Sequence, residues 1–268
     1  MKKIIGKKEI RRRDFIKLGS MASLSLPLYW SSQKQSLRTN GEKPVPVTPE
    51  WRNKHEGMVY RQLGRTGFMV SELVFGSERI TPDNVRPIEV AIERGINYFD
   101  TAPQYGKGAA ETSLGKVLNI PSKREKVFLA TKISPYPSLR NRLYREIYDV
   151  LPSSKQESIQ KRALEMRKDC GIEKPGYFMV YWPGQRRQLD PVFLSDAMME
   201  EFGNKVESSP EFKKLIISSV EESLKRVGTD YFDIVHCPHA AATPAEIANP
   251  GIIDAFTELK KQGKVRFL

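Results

Sequence analysis

NYFDTAPQYGKGAAETSLGKVL, residues 97–118, sets an aspartate and a tyrosine five residues apart where a strand gives way to a loop. Asp100 ends an apolar run formed by Ile96, Tyr98 and Phe99, and Tyr105 follows in the loop. Gly106 and Gly108 then lead into a helix predicted over Ala109 to Leu118. A second apolar run, KVFLATKIS (126–134), carries Lys132 near its end, thirty-two residues beyond Asp100. A carboxylate, a phenol and an amine at the ends of successive parallel strands are the groups from which a proton donor with a tuned pKa is built.

Outward from this segment, strands and helices alternate from Met58, which argues for a parallel sheet with helical crossovers. The pattern predicts strands at Val70 to Phe75, Tyr98 to Asp100, Val127 to Lys132 and Tyr231 to His236. It predicts helices at Val85 to Arg94, Ala109 to Leu118, Glu211 to Val227 and Ile252 to Gln262, with Gly95, Gly228 and Gly263 as stops. Right-handed repeats of this kind predict an α/β chain of the (β/α)8 barrel type. At about 30 residues per unit, only about the first half of such a barrel is accounted for.

Residues 135–208 exceed the spacing of one unit and read as a helical insertion after strand three. Leu139, Leu143, Ile147 and Leu151 share one helical face, and Ile159, Ala163, Met166 and Cys170 continue a second stripe. Ser154 with Glu157 has the spacing of a capping box. Tyr177, Phe178, Tyr181 and Trp182, followed by Pro183 and Gly184, would overhang the catalytic end of the barrel, form the insertion's own core or face a partner subunit.

Several segments in this order resemble the aldo-keto reductase family. YRQLGRTGFMVSELVFGS (60–77) resembles its opening hairpin and first barrel strand, and SVEESLKRVGTDYFDIVHCPH (219–239) its third barrel helix and fourth strand. FTELKKQGKVRFL (256–268) is similar to the next helix and the start of the fifth strand. The resemblance implies a TIM barrel of aldo-keto reductase type that interconverts a carbonyl and an alcohol with NADP. It makes Tyr105 the proton donor, with Lys132 and Asp100 as its partners, and puts Gly76 and Ser77 at the nicotinamide end. A free phenol, with a pKa of about 10, donates poorly at neutral pH, and a neighbouring ammonium favours its ionised form.

The chain departs from the family at the fourth position. The family's histidine falls five residues after the aspartate of the TDYxD segment, which here is Pro238; His236 lies two residues early and His239 one late. Strand parity favours His236, whereas the carboxyl end of the strand favours His239, which is the preferred candidate. Its expected role is to donate a hydrogen bond to the substrate oxygen. Some exported relatives carry an iron–sulfur module at the carboxyl end, and the residues present leave that open.

The formal charge of +12 invites a nucleic-acid reading, but residues 1–17 hold eight Lys or Arg against two acids and so carry half of it. The remainder has 36 basic and 30 acidic side chains with no dense basic run, and 39% hydrophobic with 28% charged is an ordinary globular balance. RRRDFIK (11–17) resembles a twin-arginine export signal with Arg12 and Arg13 as the pair, ahead of an apolar stretch, Leu18 to Trp30, too short to span a bilayer. The expected organisation is a signal or anchor over 1–32, a linker over 33–56 and a partial barrel over 57–268. The expected location is then periplasmic or membrane-anchored, reached through the twin-arginine export machinery, with membrane contact only through the N-terminal segment.

Competing readings are weaker. His236 and His239 lack a recognisable third metal ligand, since His55 is the one other histidine. Cys237 as a nucleophile fails on strand geometry, because neighbouring side chains point to opposite faces. Cys170 and Cys237 are too few for a disulfide framework. GKGAAE (106–111) is a near miss for a dinucleotide glycine loop and reads better as the start of a helix. The alternative function is a binding or regulatory protein on a reductase scaffold, or an inactive barrel fragment.

Overall fold

A computed structural model of the chain describes residues 47–171 and 189–268. The signal segment 1–32, the first part of the linker and the aromatic cluster at 177–184 lie outside the described residues.

The main sheet has five parallel strands in chain order: β4 (Phe75–Gly76), β5 (Tyr98–Asp100), β6 (Phe128–Lys132), β7 (Phe232–His236) and β8 (Val265–Phe267). Its crossovers include α1 (Arg86–Glu93), α2 (Ala109–Leu118), the short α3 (Pro121–Arg124), α7 (Pro210–Val227) and α8 (Pro250–Lys261). Between β6 and α7 the insertion supplies α4 (Tyr136–Tyr148), α5 (Ser153–Asp169) and α6 (Leu189–Val206). Local chemistry sets several ends. Ser209 and Asn249 cap α7 and α8 through the backbone N–H groups of Glu211 and Gly251, each with proline at the first helical position. Gly228 closes α7 at φ 68°, in the left-handed region.

A smaller sheet holds β1 (Glu50–Trp51), β2 (Tyr60–Gln62) and β3 (Phe68–Ser71) in the order β1-β3-β2. This corrects two expectations. The stretch Val70 to Phe75 is not one strand: Val70 and Ser71 pair with Arg61 and Tyr60, the chain turns through exposed Leu73 and Val74, and the barrel strand begins at Phe75. Hydrophobicity alone merged a hairpin strand with the barrel strand behind it. The stretch assigned to a linker also ends in structure, with Glu50 and Trp51 paired in parallel to Phe68 and Met69.

In the insertion, α4 and α5 follow the expected stripes as far as Met166, but Cys170 is exposed. The capping box at Ser154 is absent, because α5 starts at Ser153 directly after Pro152 and has no side-chain cap. The helix α6 was not expected from the pattern.

Strand alternation sorts the core. Phe99, Leu129 and Val235 face a helical layer that includes Ile88, Leu114, Val220 and Leu259. Phe128, Ala130 and Ile234 face the other way and meet Phe68 and Val70 of the hairpin. Phe68 stacks on Phe128 at 4.3 Å, with the Arg52 guanidinium 4.4 Å over the Phe128 ring and that of Arg266 4.5 Å over the Phe68 ring. Both arginines reach Asp233, which is fully buried, at 3.1 and 2.8 Å, and Arg124 reaches it at 2.9 Å. The Leu129 N–H also donates to this carboxylate. Glu50 bridges Arg52 and Arg266, which outweigh the upward push of burial and hold its carboxyl below the usual range.

Asp233→Asn strips the charge from a carboxylate that pairs with three guanidinium groups. It should lower unfolding stability by about 3–5 kcal/mol in urea titration, and a loss under about 1 kcal/mol would mean that this cluster does not hold the sheet to the hairpin.

Candidate functional site

The carboxyl ends of β4 to β7 converge because the strands pair in a staggered parallel register, with Gly76 opposite Asp100, Asp100 opposite Ala130 and Lys132 opposite His236. Asp100 and Lys132 therefore project from the same face of adjacent strands. The Lys132 ammonium, largely withdrawn from solvent, ion-pairs with Asp100 and donates to the Thr101 carbonyl at 2.9 Å and the Tyr105 hydroxyl at 3.1 Å. Buried charge of this kind is tolerated because each N–H of the ammonium has an acceptor.

Tyr105 opens a 3-10 turn, Tyr105–Gly108, that leads into α2. The turn is supported from behind. Gly108 sits at φ 92°, and a Cβ there would stand 2.9 Å from Cδ of Arg226. Arg226 in turn donates to fully buried Glu111 at 2.6 Å, and Glu111 accepts from Thr131, the residue before Lys132, at 2.8 Å. GKGAAE is thus the start of a helix, as its sequence implied.

His239 stands beside Tyr105, with ring centroids 6.0 Å apart and planes nearly perpendicular. Its backbone N–H donates to the Ile133 carbonyl at 3.1 Å, and its Nδ1 lies 2.8 Å from Oγ of Ser134. The Cys237–Pro238 peptide between strand and histidine is cis. Beyond it, Glu246 closes the loop by accepting the Ala242 and Thr243 N–H groups at 2.7 and 3.2 Å. His236 remains on β7 opposite Lys132. Desolvation lowers the pKa of both imidazoles, and the charge of Lys132 adds to the lowering in both while that of Asp100 opposes it.

Asp100, Tyr105, Lys132 and His239 are therefore brought together, with His236 at the edge of the group. Gly76 and Ser77 lie at the end of β4, where the Ser77 N–H donates to the Asp100 carbonyl. The hydroxyls of Ser77 and Thr101 are fully buried and have no partner among the described residues. Burial, then the charge of Asp100, push the neighbouring phenol of Tyr98 up to about 12. It is a poor proton donor near neutral pH. Sequence reading missed Thr101 and Ser134. Ser134 carried a signal, because it shares strand parity with Lys132 two residues earlier; the Thr101 carbonyl had none, since any residue supplies one.

The rival readings lose ground in space. His55 packs on Gly95 at the amino end of the strands, away from His236 and His239, and among the described residues no three His, Cys, Asp or Glu side chains gather as a metal site. Burial raises the Cys237 thiol far above its ordinary value, leaving it inert as a nucleophile. Among the described residues no helix is long and apolar enough to cross a membrane.

Fold and cluster define a parallel α/β protein with a phenol–ammonium–carboxylate site at the carboxyl ends of its strands. The sequence model of the Aldo/keto reductase family matches residues 73–204 and 186–268, and the chain belongs to that family. It is 33% identical over 129 residues to a 6-dehydroglucose reductase of Novosphingobium aromaticivorans, covering 43% of this chain and 41% of that protein. It is 26% identical over 219 residues to an L-galactose dehydrogenase of Arabidopsis thaliana, covering 78% and 46%. Among solved structures, an aldo-keto reductase from Bacillus halodurans in its holo form is 25% identical with a TM-score of 0.44, over 78% of this chain and 49% of that one. The chain thus spans about half the length of the curated relatives it matches.

The lowered histidine pKa values set a sign for pH dependence. Below the ordinary value of 6.5 the unfolded chain takes up protons that the partly desolvated His239 and the more exposed His236 resist in the fold, so stability falls as pH falls. Replacing both His236 and His239 by Asn should flatten that slope in denaturation measured from neutral pH downward, and an unchanged slope would show that neither ring is desolvated.

Proposed function

We propose that the protein is a nicotinamide-dependent oxidoreductase that reduces a small-molecule carbonyl to an alcohol, and oxidises it in reverse. The observation that carries this reading is the Lys132 ammonium bound at once to Asp100, Thr101 and Tyr105. Tyr105 is the acid. Its hydroxyl gives a proton to the carbonyl oxygen, and Lys132 stabilises the phenolate left behind while Asp100 keeps the ammonium in place. His239 donates a hydrogen bond to the same oxygen, with His236 as the less favourably placed substitute.

The residues at the ends of β4 and β5 suit a nicotinamide. Ser77, whose N–H bonds the Asp100 carbonyl, and Thr101, which follows Asp100 in the chain, carry buried hydroxyls that have no partner among the described residues and so have a hydrogen bond to offer an amide or sugar hydroxyl. Gly76 beside them carries no side chain to obstruct approach. When bound, NADP in its reduced form supplies hydride to the carbonyl carbon, so that hydride and the Tyr105 proton together make the alcohol. The preference for NADP over NAD is taken from the family.

Tyr105→Phe in the full-length protein should abolish carbonyl-dependent NADPH oxidation, a loss of about 10²–10⁴-fold or more, while NADPH still binds in a fluorescence titration. Activity retained in the variant removes Tyr105 as the acid. Absence of activity in both forms, across aldehydes, ketones and sugar lactones, would favour the binding-protein alternative.

The same reading includes export by the twin-arginine machinery and a periplasmic or membrane-anchored location, supported by Arg12, Arg13, Phe15 and Lys17. Changing Arg12 and Arg13 to lysine should leave the folded protein in the cytoplasmic fraction, whereas unchanged periplasmic recovery would refute a twin-arginine signal.

A further inference from the structure

We propose that Ser134 is a positioning residue that selects the tautomer of His239, so that Nε2 carries the proton and is the nitrogen presented to the substrate oxygen; this rests on the reductase reading above. A neutral imidazole has one donor and one acceptor nitrogen, and the partner of one nitrogen decides the character of the other. Nδ1 of His239 has a partner, the Ser134 hydroxyl at 2.8 Å. That hydroxyl has no other hydrogen-bonded partner among the described residues, so its single proton is free to go to Nδ1, which then accepts, and the ring proton resides on Nε2. The opposite arrangement would leave the serine proton without an acceptor among the described residues and turn a lone pair toward the oxygen that must be polarised.

The placement is two-sided. Ser134 lies two residues beyond Lys132, on the segment that also receives the His239 N–H at the Ile133 carbonyl, and the Ile133 N–H returns to the His236 carbonyl at 2.8 Å. Backbone and side chain of His239 are thus both tied to the end of the strand that carries the ammonium. Low pKa serves the same end, because a ring that remains neutral near pH 7 has a tautomer to select. A histidine one residue later than the family pattern therefore has a specific anchor at its new position.

Ser134→Ala and Ser134→Thr in the full-length protein separate this role from a purely structural one. Two-bond proton–nitrogen spectra of nitrogen-labelled histidine report which ring nitrogen holds the proton, with or without turnover. The expected result is an Nε2-protonated His239 in the native protein and in the threonine variant, a mixed population in the alanine variant, and a fall in its kcat of about five- to tenfold, the worth of one hydrogen bond, with NADPH affinity unchanged. A native His239 protonated on Nδ1, or a tautomer population unmoved by the alanine variant, overturns the proposal whatever the activity. If the native protein reduces no carbonyl, the reductase reading fails, and the spectra still decide whether Ser134 sets the ring.

Discussion

The fully buried carboxylate of Asp233, shared by Arg52, Arg124 and Arg266, is the interaction on which the sheet depends. Its partners come from three places: the segment after β1, the short helix before β6, and the last described strand. A charge removed from water is tolerated only when it is matched and hydrogen-bonded, so the residues around it have little freedom to rearrange. The cluster therefore holds the hairpin against the amino ends of the strands and leaves the carboxyl ends free for chemistry. The aromatic pair Phe68 and Phe128, between two guanidinium groups, fills the space above it.

At the other end, a second buried charge is held on different terms. Lys132 is fixed by one carboxylate, one backbone carbonyl and one phenol, and the last of these acceptors is also the group that can lose a proton. The surroundings are rigid: the Glu111–Arg226 pair and its bond to Thr131 lock the turn of Tyr105 to the strand of Lys132. Preorganised donors of this kind stabilise developing charge without having to reorient at the moment of reaction.

The insertion is joined to this arrangement by a third buried network. Arg140 has no exposed surface and pairs with Asp196 at 2.8 Å and Glu207 at 3.1 Å; burial alone would lower its pKa, and the two carboxylates reverse that. Glu207 also accepts from Tyr144 and, through its side chain and backbone, from Asn249, the cap of α8. The loop that bears His239 thus runs between β7 and a helix start that the insertion secures.

The amino-acid sequence by itself determined the alternation of strands and helices, because apolar period and glycine stops are local signals: β5 and α2 occur over the residues read for them, and α1, α7 and β7 begin within one residue of expectation. It also marked Asp100, Tyr105 and Lys132 by their spacing. It could not divide the run from Val70 to Phe75, since the turn at Glu72 is imposed by pairing with Tyr60 and Arg61 and not by composition. It left His236 and His239 unresolved, because strand parity and strand end gave opposite answers. Tertiary structure placed His239 against Tyr105 and Ser134, where a bond between residues 105 positions apart fixes the ring. The acceptor at Thr101, the paired interior of the insertion and the three arginines around Asp233 were likewise decided only in three dimensions, because each depends on side chains far apart in the chain sharing one desolvated space.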